Sequence, residues 1–258
     1  MEIEPDRGAE VPLRLIDCLA SRGLAPGEAR KALGTGKVFV RGCPTSLPVR
    51  DVAEEDVEYR PNAPRAVPGR DPAVVLAGRG FAVVLKPPGM LSAPAPGRKE
   101  SDLLAWVERR LGRALPVHRI DEATSGLLLV ALDEETQERL KADLERREID
   151  RRYLAIATGH FPDSLTSRSS IVEDRGDGKR GSGEGGKAAV THFRTVERLH
   201  RATLVEATLE TGRTHQVRIH LAEAGHPVIG DELYGPRGRP LQVHGRPRLA
   251  LHACRLVF

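Results

Sequence analysis

Apolar residues recur along the chain in several rhythms, and each predicts a different kind of element. Leu13, Leu15, Ile16 and Leu19 have helical spacing, Pro26 stands where a second short helix begins, and Gly34 and Gly36 end it; Val38 to Val40 then follow as β-formers. The stretch RPNAPRAVPGRDP has no period and reads as a linker. FAVVLK is a predicted strand, PPGM a turn, and Ser101 precedes the predicted helix DLLAWVERRLGR, with Leu103, Leu104, Trp106, Val107 and Leu111 available to one face. GLLLVAL is apolar without a break, the mark of a central strand buried on both faces. Asp133 begins an exposed helix that offers Leu140 and Leu144 to a core. RRYLAIATG, THFRTVERL, ATLVEATLE and RPRLALHACRLVF are further strands, and a helix starts within GRTHQVRIHLAEAG and stops at Gly225. Between Val172 and Lys187 lie six glycines, predicting a mobile loop or hairpin tip.

Long strands joined by short turns predict an α+β fold: a mixed, largely antiparallel sheet with peripheral helices and a central cleft, preceded by a small α/β module. The expected division is residues 1–60 for the module, 61–73 for the linker and 74–258 for the larger domain.

Charge adds to this picture mainly through its distribution. The net charge is +4, but residues 1–60 carry −2 and the remainder +6, so a polyanion fits the larger part. The start MEIEPDRGAE resembles no signal or transit peptide, and no apolar run approaches the roughly 20 residues of a membrane span, so a cytoplasmic protein is expected. Cys18, Cys43 and Cys254 form no CxxC, as suits reduced thiols.

Several kinds of chemistry lack their patterns. There is no GxGxxG after a strand and no GxxxxGK[ST], so no nucleotide cofactor is expected. His215, His220 and His226 are separated by five and six residues, which does not stack them on a helix, and HExxH is absent, so no metal site is expected. Ser125 is not in GxSxG. HRID, RRY and GRTHQVRIH remain. Asp121 either caps the turn completed by Thr124, Ser125 and Gly126 or is a reactive carboxylate; Tyr153 is either core packing or a site residue; Arg218 either lies on a solvated helix face or serves the site.

Taken in order, VVLKPPGM, VHRIDEATSGLLLVAL, RRYLAIATG, GKAAVTHF, LETGRTHQVRIHLAEAGHPVIGDELYG and RLALHACRLVF resemble the RluA-type pseudouridine synthase family over about residues 81–258. The resemblance implies that Asp121 is the nucleophile, that Tyr153 and Arg218 complete the catalytic set, and that Arg119 holds a target uridine out of its helix. His118, Arg213 and His215 would contact RNA. Ile120 replaces the usual leucine and Arg152 stands where lysine often precedes the tyrosine, changes that keep apolar volume and charge. The amino-terminal RLIDCLA, EARKAL and GKVFVRG resemble an RNA-binding module first recognised in a small-subunit ribosomal protein, which would place Arg30, Lys31, Lys37 and Arg41 on RNA; a purely structural cap is the rival.

The resemblance therefore implies a monomeric enzyme without cofactor that isomerises a flipped uridine in structured RNA, with ribosomal RNA of the large subunit favoured over transfer RNA. A non-catalytic RNA-binding protein and a nucleosidase are the alternatives. Asp121 would attack C1′, remove a C2′ proton or add to C6. Burial beneath a base favours the neutral acid, so Asp121 needs a positive partner, and the fork of Arg218 is expected to supply it. With only 9 aromatic residues, recognition should lean on backbone charge and RNA shape.

Overall fold

The computed structural model describes residues 13–34, 37–40, 43–44, 51–52, 57–59, 61, 71–97, 102–174, 179–236, 242–243 and 246–258. The chain divides into two compact units, residues 1–73 and 74–258.

In the first unit, β1 (Leu13–Arg14) leads into α1 (Leu15–Ser21), followed by α2 (Pro26–Gly34), β2 (Val38–Val40), β3 (Cys43–Pro44), β4 (Asp51–Val52) and β5 (Val57–Tyr59). Leu15, Cys18 and Leu19 on α1, and Ala29, Ala32 and Leu33 on α2, repeat the i, i+3, i+4 spacing of a buried helical stripe and close over Val38 and Val57. β2 lies between β3 and β5, both antiparallel to it. Arg41 lies outside the described residues.

The second unit is built on one sheet. Its strands are β6 (Ala73–Gly78), β7 (Phe81–Lys86), β8 (Leu115–Pro116), β9 (Ser125–Ala131), β10 (Asp150–Thr158), β11 (Ser164–Val172), β12 (Gly181–Ser182), β13 (Lys187–Leu199), β14 (Ala202–Leu209) and β17 (Leu251–Val257). Their order is β12-β11-β13-β14-β10-β17-β9-β7-β6, with β8 also against β9. A small separate pair, β15 (Gln242–Val243) and β16 (Arg246–Pro247), precedes the last strand. β17 runs parallel to β9, whereas β7 with β9, β17 with β10, β10 with β14, β14 with β13 and β13 with β11 are antiparallel, so the sheet is mixed and mostly antiparallel. The helices are α3 (Leu103–Leu111), α4 (Glu134–Glu145) and α5 (Gln216–Glu223). None of the helices among the described residues is long and apolar enough to cross a membrane.

The unbroken apolar run of β9 follows from its place in this sheet. Leu128 and Val130 enter the core shared with α3 and α5, whereas Leu129 and Ala131 enter a second core with Leu140 of α4. Successive side chains point to opposite faces, so a strand covered on both sides has no position for a polar residue. On α3 the cap is Asp102, whose carboxylate accepts the Ala105 N–H; Ser101, expected in that role, lies outside the described residues. Leu111, expected on the buried face, is exposed beside the helix-ending Gly112. Of the strands of six residues or more, two are absent from the sequence reading. SLTSRSSIV (β11) turns Ser167 and Ser169 inward between Leu165 and Ile171, so its hydrophobic alternation is interrupted, and AVVLAG (β6) directly follows the proline-rich stretch, which hides its start. Of the glycine-rich segment, residues 175–178 lie outside the described residues, while Gly181 and Ser182 pair with β11.

The parallel junction of β9 and β17 requires Gly126. A Cβ there would lie 2.3 Å from the Ala253 carbonyl oxygen and 2.7 Å from its Cα, at a backbone φ of +126°. Neither backbone can retreat without breaking the sheet. Gly126→Ala is expected to destabilise the fold by about 3 kcal/mol or more, read as a lowered urea midpoint; an unchanged midpoint would show that the two strands separate at no cost.

Candidate active site

The segment HRIDE runs from β8 to β9 and is braced by the turn after β7. Ser92 Oγ donates to the Ile120 carbonyl and accepts the Ile120 N–H, at 2.7 and 3.2 Å. Gly89 N–H donates to the Glu122 carbonyl at 2.8 Å. Lys86 ends β7 fully buried, and its ammonium donates to the carbonyls of Pro87, Met90 and Glu122 at 3.0, 2.7 and 3.0 Å. Three donated bonds need three protons, so this geometry belongs to the charged form, although burial pulls the pKa down to about 7 against the opposing pull of Asp121 and Glu122. With the backbone held in this way, Ile120 is buried and its neighbours face outward. Arg119 is exposed at the mouth of the cleft, Asp121 is partly exposed within it, and the Asp121 carbonyl accepts the Thr124 N–H to close the turn.

The cleft has a volume of about 590 Å³, and its walls come from HRIDE, the end of α4, the start of β10 and the loop leading into α5. Tyr153 reaches it from β10, where its cross-strand neighbours are Ala207 and Ala253, small enough to leave room for the ring. The register between β10 and β17 shifts beside it, between Arg152 and Tyr153, a common way to re-aim a side chain near a site. Tyr153 is buried, and burial pushes its hydroxyl up to about 12, so it is a neutral phenol near neutral pH.

α5 carries the third group, the expected buried cation beside Asp121, although its fork is used differently from the expectation. Arg218 is not on a solvated face; it is 7% exposed. Nor does its fork grip Asp121. Its Nε and Nη2 donate to the two oxygens of Asp231 at 2.7 and 2.8 Å, and Asp231 also accepts the N–H groups of Leu233 and Tyr234. Burial alone would lower the Arg218 pKa, but the Asp231 hydrogen bonds hold it above its usual value. Only Nη1 is left for Asp121, at 3.5 Å from Oδ2. The Nε–Nη2 edge of the fork is committed to the more buried carboxylate, so Asp121 meets the guanidinium through Nη1.

His215 precedes α5 in the left-handed region at φ 59°, a conformation few non-glycine residues adopt. Its Nδ1 hydrogen-bonds the Tyr234 hydroxyl at 2.9 Å, and its Nε2 lies 4.0 Å from Asp121 Oδ1. Gln216 fixes the loop before it, accepting from Thr211 and the Arg213 N–H while donating to Val190 and Thr191. Arg213 lines the cleft from an exposed position, with its Nε donating to the Ala188 carbonyl.

His118 lines the cleft and also braces its wall. Its Nε2 accepts the Leu129 N–H at 3.1 Å, which ties HRID to β9. Burial first, and the Arg151 guanidinium second, push its pKa down to about 3, so the ring is neutral near neutral pH. His220 bonds Thr191 and Ser169, and His226 bonds the Thr158 carbonyl, so the three histidines of the helical segment face separate partners. In the first unit, Arg30 and Lys31 are exposed on α2, whereas Lys37 donates to the Pro61 carbonyl.

The neutral His118 has a consequence for acid stability. In the unfolded chain it binds a proton below about pH 6.5, and in the folded chain only near 3. Between these values the unfolded state binds more protons, so stability falls as the pH is lowered, by on the order of 4 kcal/mol across the window. His215, His220 and His252 are also shifted downward by burial and act in the same direction. The urea midpoint is expected to decline from about pH 6.5 downward, and more gently in His118→Leu; equal slopes in both proteins would refute the assignment to His118.

Lys86, Asp231, Tyr234 and Arg151 line or support the cleft, and sequence reasoning missed all four. The signals it could have used were a lysine closing an apolar strand and an aspartate within PVIGDELYG; neither reveals its distant partner.

The sequence matches the family described as RNA pseudouridylate synthase over residues 80–223. It is 38% identical to the ribosomal large subunit pseudouridine synthase D of Zymomonas mobilis, over 76% of this chain and 67% of that protein. It is likewise 38% identical to the dual-specificity RNA pseudouridine synthase RluA of Haemophilus ducreyi, over 66% of this chain and 79% of that protein. Among solved structures, human RNA pseudouridylate synthase domain containing 1 superposes with a TM-score of 0.61 and 27% identity, covering 74% of this chain and 80% of that one. A mixed sheet with a carboxylate at its central junction, the match across that sheet and the identity to these relatives lead to one assignment: the chain belongs to the RNA pseudouridylate synthase family and is an isomerase that acts on RNA.

Proposed function

We propose that this enzyme isomerises a uridine of large-subunit ribosomal RNA, with Asp121 as the reacting carboxylate. The observation that carries this reading is the setting of Asp121: a partly exposed carboxylate in the cleft, with the buried guanidinium of Arg218 at 3.5 Å and His215 at 4.0 Å. Pseudouridine formation breaks the N1–C1′ bond, turns the base and rejoins it through C5. It is neither oxidation nor hydrolysis, so a placed carboxylate is its chief requirement. Asp121 attacks C1′, takes the C2′ proton or adds to C6.

Tyr153 serves as the platform for the base. Its hydroxyl stays protonated near neutral pH, which favours stacking and hydrogen-bond donation over proton removal, and base–aromatic contact contributes about 1–3 kcal/mol. The uridine reaches the cleft by leaving its stack, at a cost of a few kcal/mol. Arg119 stands exposed at the mouth to hold it out, and Arg213 and His215 border the path. Arg30 and Lys31 of the first unit, with Lys37, are assigned to the RNA backbone.

The large-subunit target is supported by the similarity to the Zymomonas mobilis enzyme, which is named for it. Transfer RNA is the second reading; the Haemophilus ducreyi relative, named dual-specificity, supports a second kind of RNA target. Pseudouridine mapping in ribosomal and transfer RNA from cells with and without the gene tests both. Loss of a large-subunit position is expected; loss confined to transfer RNA would replace the first reading with the second.

A further inference from the structure

One charge in the cleft has no part in the roles assigned to Asp121, Tyr153 and Arg218. Arg151 lies two residues before Tyr153 on β10 and therefore faces the same side of the sheet. Its neighbour Arg152, at the position where lysine is the commoner residue, points away and pairs with Asp150 at 2.8 Å. Arg151 lines the cleft, yet its Nε is buried with no hydrogen-bond partner, and among the described residues no carboxylate lies within ion-pair distance of its guanidinium. The end of the fork sits against Gly212 in the cleft wall: a Cβ there would lie 2.7 Å from Nη1. Its charge is felt by both His118 and Tyr153. An unpaired, largely desolvated cation is costly to keep, and a fold that only needed packing there would not hold one.

We infer that the Arg151 guanidinium neutralises the negative charge that develops on the uracil ring as its N1–C1′ bond breaks. This rests on the roles proposed for Asp121 and Tyr153. The electron pair of that bond leaves with the base, spreading one negative charge over N1, O2 and O4, while C1′ is taken up by the Asp121 carboxylate or C2′ gives its proton to it. Bond formation from C5 to C1′ discharges the ring and frees Asp121, and the C5 proton is then exchanged for one on N1. No oxidant or reductant enters. Addition at C6 also places the charge on the ring, so the requirement for a cation is common to the three routes.

A backbone phosphate is the other anion at hand, but depth argues against it. Arg119 and Arg213 are exposed at the mouth of the cleft, whereas Arg151 sits beside the buried Tyr153, the platform proposed for the flipped base. A cation placed before the reaction at the point where charge appears acts on the transition state more than on the bound substrate.

The test uses the full chain and a large-subunit ribosomal RNA transcript labelled with tritium at uridine C5, followed in single turnovers alongside a binding isotherm. Arg151→Met is expected to slow turnover by about 100-fold with the RNA dissociation constant within about threefold, and Arg151→Lys to recover most of the rate. Because the substitution removes an unpaired buried charge, the melting temperature of Arg151→Met is expected to equal or exceed that of wild type. In the same transcript made with 5-fluorouridine, fluorine stabilises the departing anion, so the deficit of Arg151→Met, read as loss of N1-linked 5-fluorouridine, is expected to shrink about tenfold. An unchanged turnover rate overturns the inference, and so does weakened binding with an unchanged rate, which would mark a phosphate contact. A deficit that is equal on both transcripts, or that accompanies a lowered melting temperature, overturns it as a structural role. If wild type converts neither this transcript nor transfer RNA, the reading of Asp121 falls and this one with it; if wild type converts and Arg151→Met equals it, only the role of Arg151 falls.

Discussion

Asp121→Asn is expected to abolish pseudouridine formation while leaving the fold and RNA binding in place. The amide keeps the size of the side chain but has no nucleophilic carboxylate, and loss of a group that takes part directly in bond making costs about 10⁴-fold or more. The fold tolerates the change for a reason that only the structure supplies. Arg218 already has its charge matched by Asp231, so neutralising Asp121 strands no buried cation. Asp121 itself is partly exposed, and its contacts at 3.5 and 4.0 Å are long for an ion pair. The urea midpoint should therefore stay within about 1 kcal/mol of wild type. Release of tritium from RNA labelled at C5 of uridine, measured beside the unfolding curve, checks both halves. Turnover near wild type would remove Asp121 from the reaction.

Arg218→Ala is expected to lose both activity and stability, with the stability loss centred on Asp231. The Asp231 side chain is fully buried, and its two oxygens accept the arginine fork. Removing the arginine leaves that carboxylate without its counter-charge, which costs about 3–5 kcal/mol. Arg218→Gln combined with Asp231→Asn replaces the ion pair with two neutral amides, and the amide oxygen introduced by Asp231→Asn would still accept the N–H groups of Leu233 and Tyr234. The double variant should recover much of the stability that either single change loses, giving a coupling of at least about 2 kcal/mol in a double-mutant cycle. It should remain inactive, because Asp121 still lacks its cation. A coupling near zero would show that the pair contributes nothing beyond its separate members, and recovered activity would show that Arg218 serves only the fold.

The three motifs to which the proposed chemistry is assigned stand out locally, and the family resemblance gave them their roles. HRID stands at the head of an unbroken apolar run, RRY opens a strand, and GRTHQVRIH leads into a helix. Alternation placed Ile120 inward and Arg119 and Asp121 outward, and the structure has the same arrangement. The sequence left undecided the residues whose role depends on what lies opposite them. Arg218 has ordinary helical surroundings in sequence and becomes buried because α5 packs its face against the sheet. His118 lies beside the exposed Arg119 and becomes a brace because β9 offers it a backbone N–H. Lys86 ends a strand in the manner of any solvated lysine, but three carbonyls from two separate turns converge on it.

Local rules thus determined, from the sequence alone, the principal strands and helices and the α+β class, since periodicity, caps and apolar runs act between neighbours along the chain, whereas the residues expected to react were named by the family resemblance. Tertiary structure decided which charge meets which. The Arg218 fork was free to pair with Asp121, 97 positions away, or Asp231, 13 positions away, and the sequence distances rank neither by role. The outcome depended on burial: the carboxylate most removed from water gains most from a bidentate partner, and the one left at the cleft remains open to react.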